Sequence, residues 1–486
     1  MAVSRVALVD DPDGGKREIL TTRPWELLGF GCHYAWLLSI AFGTTIYARF
    51  ESAELVTTLR LLVFACLALM FAALFLAQRF TGQFTFKKPI VIAAGLLGAG
   101  GTALLMVPGS GFASWIVWVA GALAVGFSNA VSMTAGNRLW ANNRPEYGML
   151  QLTVSTVLAV ALFYLFLPLP LEAAVPAIAA LPCIGDAILV FTKGGKRRGG
   201  AYRKYEGLPA GVYRRLLAYA FAFALSTGCM LAAVASFDVP STVANSGTIM
   251  AGVLAASLFT LYAALRRKPA GMLKLIDKPV TALFVIGLAG LLLAVGDPLA
   301  PADDALLPGA LVMAAYVLVD QFLWLINPDM VFRAQKPSAA ILARSCAVEW
   351  AGLALGFFLG SAACGFWDFP LGIGYPAVLF LCLCAFVLVR TFAFSHTDAI
   401  KLAEARMLSA GEDELFEHCQ VLAEQYALSP RETDVFVLLA RGRSGPFIQE
   451  ELTLSQSTVK THTRNIYRKL DVASKQDLLD LVGREL

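Results

Sequence analysis

The residues of this sequence best suited to a specific chemistry lie in one short segment near the C-terminus, residues 454–470. The segment carries no acid and four cations, which are Lys460, Arg464, Arg468 and Lys469. Cations spaced along one helix favour contact with the phosphates and base edges of DNA. The chain as a whole is nevertheless 58% hydrophobic, with a mean hydropathy of +0.67, which is typical of proteins that lie in a lipid bilayer.

The pattern of residues 428–486 predicts four short helices around this segment. Ser429 and Glu432 have the spacing of a capping box at the start of the first helix, and Ser455 is expected to cap the third, basic helix. The apolar residues expected to face inward are Val435, Leu438, Leu439, Ile448, Leu452, Val459, Ile466, Leu470, Leu478, Leu479 and Val482. A helix, a tight turn and a second helix that carries the cations make a helix-turn-helix.

The segment "LSPRETDVFVLLARG…IQEELTLSQSTVKTHTRNIYRKLDV" resembles the LuxR-type DNA-binding domain over nearly all of residues 428–483. The matched positions are Leu428, Pro430, Arg431, Glu432, Val435, Leu438, Gly442, Ile448, Leu452, Ser455, Thr458, Val459, Lys460, His462, Asn465, Ile466, Lys469 and Leu470. The resemblance implies a four-helix domain that binds double-stranded DNA. One departure is the start of the second helix, where the family often has Asn-Lys-Glu and this chain has Gly445-Pro446-Phe447. Proline is tolerated in a first turn, so we expect the fold to persist and one basic group that could bind a phosphate to be missing.

The roles of residues in the basic helix follow from which positions face outward. If Val459 and Ile466 face the core, positions 460, 461 and 464 share the opposite face. We therefore predict that Lys460, Thr461 and Arg464 contact bases in the major groove. The residues predicted to contact phosphates, which set register without carrying sequence information, are Thr458, Arg468 and Lys469. The alternative is a solvated basic face, which is what an isolated run of charge usually forms.

Most of the remaining chain consists of apolar runs, and a spanning helix needs about 20 apolar residues. We predict twelve spans, the ninth of them short, at residues 25–47, 58–78, 89–107, 112–131, 149–167, 172–191, 216–237, 242–265, 280–295, 306–326, 342–366 and 375–390. The N-terminal tail and the even-numbered connections contain twenty-four Lys and Arg residues, whereas the six opposite connections contain one, Arg49. Because cations resist translocation, both termini are predicted to be cytoplasmic, in a bacterial inner membrane.

Six spans, a long basic loop and six further spans resemble the major facilitator superfamily over about residues 20–390. The expected fold class is therefore all-α, a twelve-helix transmembrane bundle in a 6+6 arrangement followed by the C-terminal helix-turn-helix domain. The family's signature in the loop between spans 2 and 3 is rich in Asp, Gly and Arg, whereas this loop is "QRFTGQFTFKKP", with no acidic residue. The departure leaves room for a sensor built on a transporter frame.

Ionisable side chains inside a span cost about 2.5–3.5 kcal/mol and are therefore candidates for a binding site. In the facilitator fold spans 1, 4, 7 and 10 line a central cavity, and the resemblance implies a small-molecule site there. The predicted cavity residues are His33, Trp36, Asn129, Asp320, Gln321 and Trp324, with Tyr34, Ser128, Ser226 and Thr227 beside them. The alternatives are packing or lipid-facing roles for the aromatic residues, and a structural pairing of Asp320 and Glu349 with Arg344.

The two remaining segments are the N-terminal tail, residues 1–24, and the linker, residues 391–427. The tail is expected to be disordered and cytoplasmic, since its "VALVDD" resembles the start of a phospho-receiver domain but far too few polar residues follow. The linker is predicted to be helical, as a solvated spacer or a dimerising stalk, with a break at residues 409–413. Its apolar residues at helical spacing are Leu402, Ala405, Leu415, Cys419, Leu422 and Tyr426.

Two functions are compatible with this organisation. The first is a membrane-anchored transcriptional regulator that senses an unknown small molecule and binds DNA as a possible homodimer, since half-sites lie about one DNA turn apart. The second is a facilitator-type transporter with an appended regulatory domain. An enzyme is the weakest hypothesis, because the sequence has no nucleophile–base pair, metal-ligand spacing or phosphate loop. No cofactor or metal is expected, and the nine cysteines are expected to be small apolar residues in helices.

Overall fold

The structure is a computed structural model. It describes residues 5–10, 16–20, 25–50, 52–81, 86–109, 111–141, 145–191, 210–236, 242–266, 269–296, 305–334, 338–365, 374–394, 398, 415–416 and 418–484. The chain divides into two compact units close to residue 403. The predicted all-α class is confirmed, and the exception among the described residues is a short hairpin near the N-terminus.

This hairpin pairs β1 (Arg5–Asp10) with β2 (Lys16–Leu20) in antiparallel register. The expectation of a disordered tail is therefore wrong for these two segments. Two features of the sequence account for the pairing. Val6 and Val9 are of the branched residue type that favours strands, and the backbone register places Asp10 opposite Lys16.

One helix lies at each of the twelve predicted spans. The helices are α1 (Trp25–Ala41), α2 (Ala53–Thr81), α3 (Lys88–Leu105), α4 (Phe112–Ala141), α5 (Pro145–Phe166), α6 (Leu171–Phe191), α7 (Ala210–Ser236), α8 (Thr242–Arg266), α9 (Pro269–Gly296), α10 (Leu306–Ala334), α11 (Ser338–Ala363) and α12 (Tyr375–Leu388). Within the described residues, 10 helices are long and apolar enough to cross a membrane, and α1 and α5 have shorter apolar segments. The expected short ninth span is wrong: α9 has 28 residues, because it continues through a basic stretch that resembled a loop.

The membrane helices approach one another closely where glycines meet. A Cβ atom on Gly101 of α3 would lie 2.7 Å from the carbonyl oxygen of Gly121 on α4. One on Gly352 of α11 would lie 2.8 Å from the carbonyl oxygen of Phe221 on α7. Small residues at such positions allow the close backbone contact that holds helices together in lipid, where burial of apolar surface supplies no driving force.

The outer surface of this bundle is apolar. Large hydrophobic side chains remain exposed on several helices, among them Leu96, Ile286 and Leu293. An exposed apolar surface of this extent marks contact with another apolar phase. Together with the ten spanning-length helices, it identifies a multi-pass membrane domain.

The C-terminal unit contains four short helices in the described region: α13 (Pro430–Ala440), α14 (Gly445–Leu452), α15 (Gln456–Leu470) and α16 (Lys475–Arg484). The predicted capping box is confirmed, since the Glu432 N–H donates to Ser429 Oγ at 3.3 Å and the Ser429 N–H donates to Glu432 Oε2 at 2.8 Å. The chain leaves α13 through Gly442, whose φ of +73° lies in the left-handed region that glycine adopts at low cost.

A fifth helical segment, residues 418–425, packs into the same core. Cys419 and Leu422 are fully buried in one apolar cluster with Phe436 and Val437. The segment therefore covers a second face of α13, beside the one predicted to face inward. The alternatives of a solvated spacer or a dimerising stalk are therefore wrong for this half of the linker, because its apolar face is occupied by its own domain. Leu402 and Ala405 lie outside the described residues.

Candidate functional site

The basic helix predicted from the sequence is α15, and it follows α14 after a tight turn. Thr453 ends α14 with a φ of +52°, and Ser455 caps α15 by accepting a hydrogen bond from the Thr458 N–H at 3.1 Å. Val459 and Ile466 are buried in the domain core, as predicted. Burial of these two side chains fixes the rotation of α15 about its axis and therefore determines which side chains face solvent.

Lys460, Thr461 and Arg464, the predicted base-contacting residues, are all exposed. They lie at positions i, i+1 and i+4 of α15, on the side opposite the buried face. The Thr461 hydroxyl donates to the Ser457 carbonyl at 2.9 Å, so it is already engaged within the helix. Both cations keep exposed side chains. Lys460 lies in the N-terminal half of α15, the half that contacts base edges in helix-turn-helix proteins, and Arg464 lies one turn further on, just past the middle of the helix.

The three predicted phosphate contacts differ in their surroundings. Arg468 is exposed, and Thr458 is half-buried with its hydroxyl 2.7 Å from Ser455 Oγ. Lys469 instead donates to Glu432 Oε2 at 2.8 Å and to the Ala427 carbonyl at 2.9 Å. The structure therefore gives Lys469 a structural role, joining the C-terminal end of α15 to the start of α13.

Glu432 is the buried partner in this contact. Burial by itself would raise the pKa of its carboxyl group, but the hydrogen bonds from Lys469 and Ser429 favour the ionised form more strongly. Together they lower the pKa of Glu432 from 4.5 to about 2. Glu432 is therefore ionised at neutral pH and serves both the capping box and the ion pair. This network makes the orientation of α15 depend on α13.

The departure at Gly445-Pro446-Phe447 does not disturb the fold, as expected. The helix α14 begins at Gly445, with the proline in its first turn. The exposed guanidinium group of Arg443 lies 5.0 Å from the centroid of the Phe447 ring, a cation–π contact. Sequence reasoning did not single out Arg443, because the family pattern gives no signal at that position.

The membrane domain contains a second candidate site, a cavity of about 30 Å³ among α1, α2, α4, α10 and α11. The polar residues and tryptophans that line it are Tyr34, Asn129, Tyr316, Asp320, Trp324, Glu349 and Trp350, and Phe42 and Phe71 are among its apolar lining. Span 7 was predicted to line this cavity, but α11 contributes instead. Trp350 was missed for that reason.

Three of the six predicted cavity residues, Asn129, Asp320 and Trp324, line this space. His33 lies behind it, with its Nε2 3.1 Å from Asn129 Oδ1. The assignments of Trp36 and Gln321 are not supported, since neither is a lining residue. Trp36 Nε1 donates to Thr102 Oγ1 on α3 at 2.9 Å, so its ring packs between helices.

The two acids of the cavity face each other. Tyr34 donates its hydroxyl hydrogen to Asp320 Oδ2 at 3.1 Å, and the Asp320 and Glu349 carboxyl groups are within hydrogen-bonding reach. The alternative pairing with Arg344 is not what the structure shows, because that guanidinium group lies 5.5 Å from the ring centroid of Tyr213. The cavity lining therefore carries two carboxyl groups and no Lys or Arg among the described residues.

Ion pairs fix the beginning of the linker to the membrane domain. After α12 the helix widens into a π-helical turn, Val389–Ala393. Within it Arg390 Nη2 donates to Asp277 Oδ2 of α9 at 2.8 Å. Farther along, Arg215 of α7 donates to Asp398 Oδ1 at 2.7 Å. The segment that leads out of the bundle is thus attached to both α9 and α7.

Comparison with known proteins assigns the C-terminal region. The model of the family "Bacterial regulatory proteins, luxR family" matches residues 426–482. Over 95 residues the chain is 41% identical to the HTH-type transcriptional regulator MalT of Yersinia enterocolitica and 40% identical to that of Yersinia pestis. These alignments cover 19% of this chain and 9% of each relative. The predicted LuxR-type helix-turn-helix domain is thereby confirmed.

The membrane domain is similar in fold to transporters. A bacterial homologue of the iron transporter ferroportin in its outward-facing state aligns with a TM-score of 0.51 at 13% identity, covering 78% of this chain and 97% of that one. The human organic anion transporter MFSD10 (TETRAN) aligns with a TM-score of 0.53 at 15% identity, again covering 78% and 97%. The expected facilitator-like fold is confirmed, and at these identities the likeness concerns the fold alone.

Proposed function

We propose that this protein is a membrane-anchored transcriptional regulator that senses a small molecule through its membrane domain. The observation that carries the proposal is that one chain joins a facilitator-like bundle to a LuxR-type domain with an exposed basic helix face. The asymmetry of Lys and Arg in the loops supports a bacterial inner membrane location with both termini cytoplasmic. In that orientation the C-terminal domain has access to the chromosome.

On DNA, Lys460, Thr461 and Arg464 contact bases, and Arg468 and Thr458 contact phosphates. The support is that these side chains, apart from the half-buried Thr458, are exposed on one helix whose rotation is fixed by buried neighbours. Lys469 keeps α15 in place and does not contact DNA. Two copies of the domain occupy half-sites about one DNA turn apart, so a homodimer is the regulating species.

The chemistry of the central cavity favours a ligand that carries positive charge. Because two carboxyl groups this close share a proton, Asp320 and Glu349 together supply one negative charge. The rings of Tyr34, Trp324 and Trp350 surround them. Aromatic faces and carboxylates together are the groups that bind organic ammonium ions. The present cavity of about 30 Å³ is far smaller than the roughly 300–1,000 Å³ of typical ligand pockets. The ligand therefore binds an opened conformation of the bundle.

Opening of the bundle reaches the DNA-binding domain through the linker. The ligand contacts α10 and α11, and α11 packs closely on α7, which holds Asp398 through Arg215. A shift of α7 or α9 therefore moves the start of the linker. Allosteric couplings are typically about 1–3 kcal/mol, which suffices if the ligand changes the spacing between two DNA-binding domains.

The test compares transcript profiles of cells that carry wild type, Lys460→Ala or Asp320→Asn, with candidate organic cations added. We expect Lys460→Ala to lose regulation of every target, and Asp320→Asn to keep the basal profile but lose the response to the cation. Radiolabelled uptake of the inducing compound is measured alongside. Sustained accumulation by wild type would instead identify the protein as a transporter with an appended domain.

A further inference from the structure

Two cysteines of the membrane domain have no part in the proposed function and lie in contact. Cys229 of α7 and Cys382 of α12 are both free thiols, buried between the two helices. The thiol of Cys382 donates to Cys229 Sγ at 3.5 Å, and the thiol of Cys229 donates to the Gly356 carbonyl at 3.1 Å. The two sulfur atoms therefore face each other directly.

The helix that carries Cys382 has a distinct position in the chain. It is the last membrane helix, it presents Phe380 and Leu381 to the lipid side, and it continues through the π-helical turn into the linker. In contrast, α7 is held firmly to α11 by glycine-mediated contact. A covalent bond between Cys229 and Cys382 would join the helix that leads to the linker to this tightly packed helix pair.

We propose that Cys229 and Cys382 form a redox-active dithiol that closes to a disulfide and fixes α12 to α7. A disulfide has an S–S length of about 2.05 Å, so the sulfur atoms must approach by about 1.5 Å, which side-chain rotation can supply. Both thiols are oxidised together and lose two electrons and two protons. The bond that forms is S–S, and the bonds that break are the two S–H bonds.

Burial indicates the chemical class of the oxidant. Water-soluble thiols and disulfides do not reach two side chains enclosed by membrane helices, so cytoplasmic reductants are excluded as well. Phe380 and Leu381, the two residues before Cys382, are exposed on the lipid side. A separation of α12 from α7 therefore opens the thiols to the bilayer, where the oxidant is a lipid-soluble quinone. The quinone accepts the two electrons and two protons and becomes the hydroquinone, which balances the reaction.

The test uses the full-length protein in lipid nanodiscs, with decylubiquinone as the probe. After treatment, free thiols are alkylated and the peptides are analysed by mass spectrometry. We expect a Cys229–Cys382 linkage in wild type and in the matched control Cys66→Ser, which removes a buried thiol from the other half of the bundle. Oxidised glutathione is expected to produce none. Continued alkylation of both cysteines after quinone treatment, or a linkage to Cys364 in place of this pair, would overturn the proposal.

A second measurement tests whether the disulfide changes DNA binding, a consequence that rests on the proposed function. The amount of sheared genomic DNA that the protein in nanodiscs retains is measured before and after quinone treatment. We expect a change of about fivefold or more in wild type and none in Cys229→Ser or Cys382→Ser. A linkage without any change in DNA retention would overturn the role of the disulfide as a regulator. Failure of the reduced protein to retain DNA would refute the proposed function alone, because the linkage is detected independently.

Discussion

The two candidate sites of this protein are built in opposite ways. The DNA-binding face is an exposed stripe on one short helix. The domain around that helix is held by contacts between residues close in sequence, such as the Ser429–Glu432 capping box. The cavity is assembled from five helices of both halves of the membrane domain, and its volume is only about 30 Å³. In the proposed function, the DNA-binding site is therefore preformed, whereas the ligand site needs a conformational change that can be transmitted.

The largest effect on stability should come from the helical segment 418–425, which packs into the core of the C-terminal domain. Leu422 is fully buried in the C-terminal core, whereas the adjacent Val421 is 60% exposed. We expect Leu422→Ala to destabilise this domain by about 2–5 kcal/mol and Val421→Ala to change its stability by less than about 0.5 kcal/mol. Urea-dependent proteolysis of the full-length protein in nanodiscs measures both. Equal effects would exclude residues 418–425 from the domain.

The ion pair beneath the basic helix should have the next largest effect and should depend on pH. Glu432 has a lowered pKa of about 2 against an ordinary 4.5. Its stabilisation is thus fully present above about pH 4.5 and disappears as the pH falls towards 2. We expect Glu432→Gln to lose about 1–3 kcal/mol near neutral pH, because it removes charge-assisted hydrogen bonds from a buried carboxylate to a partly exposed lysine. The loss of stability on acidification should also be less steep in the variant than in wild type. If wild type and variant lose stability in the same way as the pH falls below about 4.5, ionised Glu432 does not stabilise the domain.

Substitutions of two arginines on α15 distinguish the proposed base contact from the proposed phosphate contact. Arg464→Ala should cost about 1–3 kcal/mol at cognate sites and relax the preference for one base pair. Arg468→Ala should weaken binding to all sequences equally and reduce the slope of log K against log salt by about 1. Salt titrations of binding with the full-length protein distinguish them. Interchanged behaviour would reverse the assigned roles.

The smallest effect on stability should come from the contact that starts the linker. The Arg215 side chain is 44% exposed, so Arg215→Ala should lower the free energy of unfolding by less than about 1 kcal/mol. Its effect on signalling should be clearer, since it releases Asp398 from α7. We expect basal DNA binding to persist while the response to the ligand falls. An unchanged response would mean that the signal takes another route.

The contrast between the sites also explains what could be predicted from the sequence. The caps, the turn and the buried residues Val459 and Ile466 depend on spacings of a few residues, so the helices that position the C-terminal site were predicted from the sequence, and its DNA contacts stay predictions. The ion pair of Lys469 was not predicted because its partner, Glu432, lies 37 positions away. Trp350 was not predicted because the choice of helices that line the cavity depends on packing between distant segments, which no local pattern encodes. Cys419 and Leu422 resembled a stalk because periodicity identifies an apolar face but not its partner.

The most direct test of whether the membrane-embedded protein binds specific DNA sites through α15 is chromatin immunoprecipitation of the intact protein. Wild type is compared with Lys460→Ala and Arg464→Ala at equal abundance in the membrane fraction. We expect discrete chromosomal sites for wild type, a loss of these sites in both variants, and altered occupancy when the inducing ligand is added. Identical profiles for wild type and variants, or no discrete sites for wild type, would contradict it.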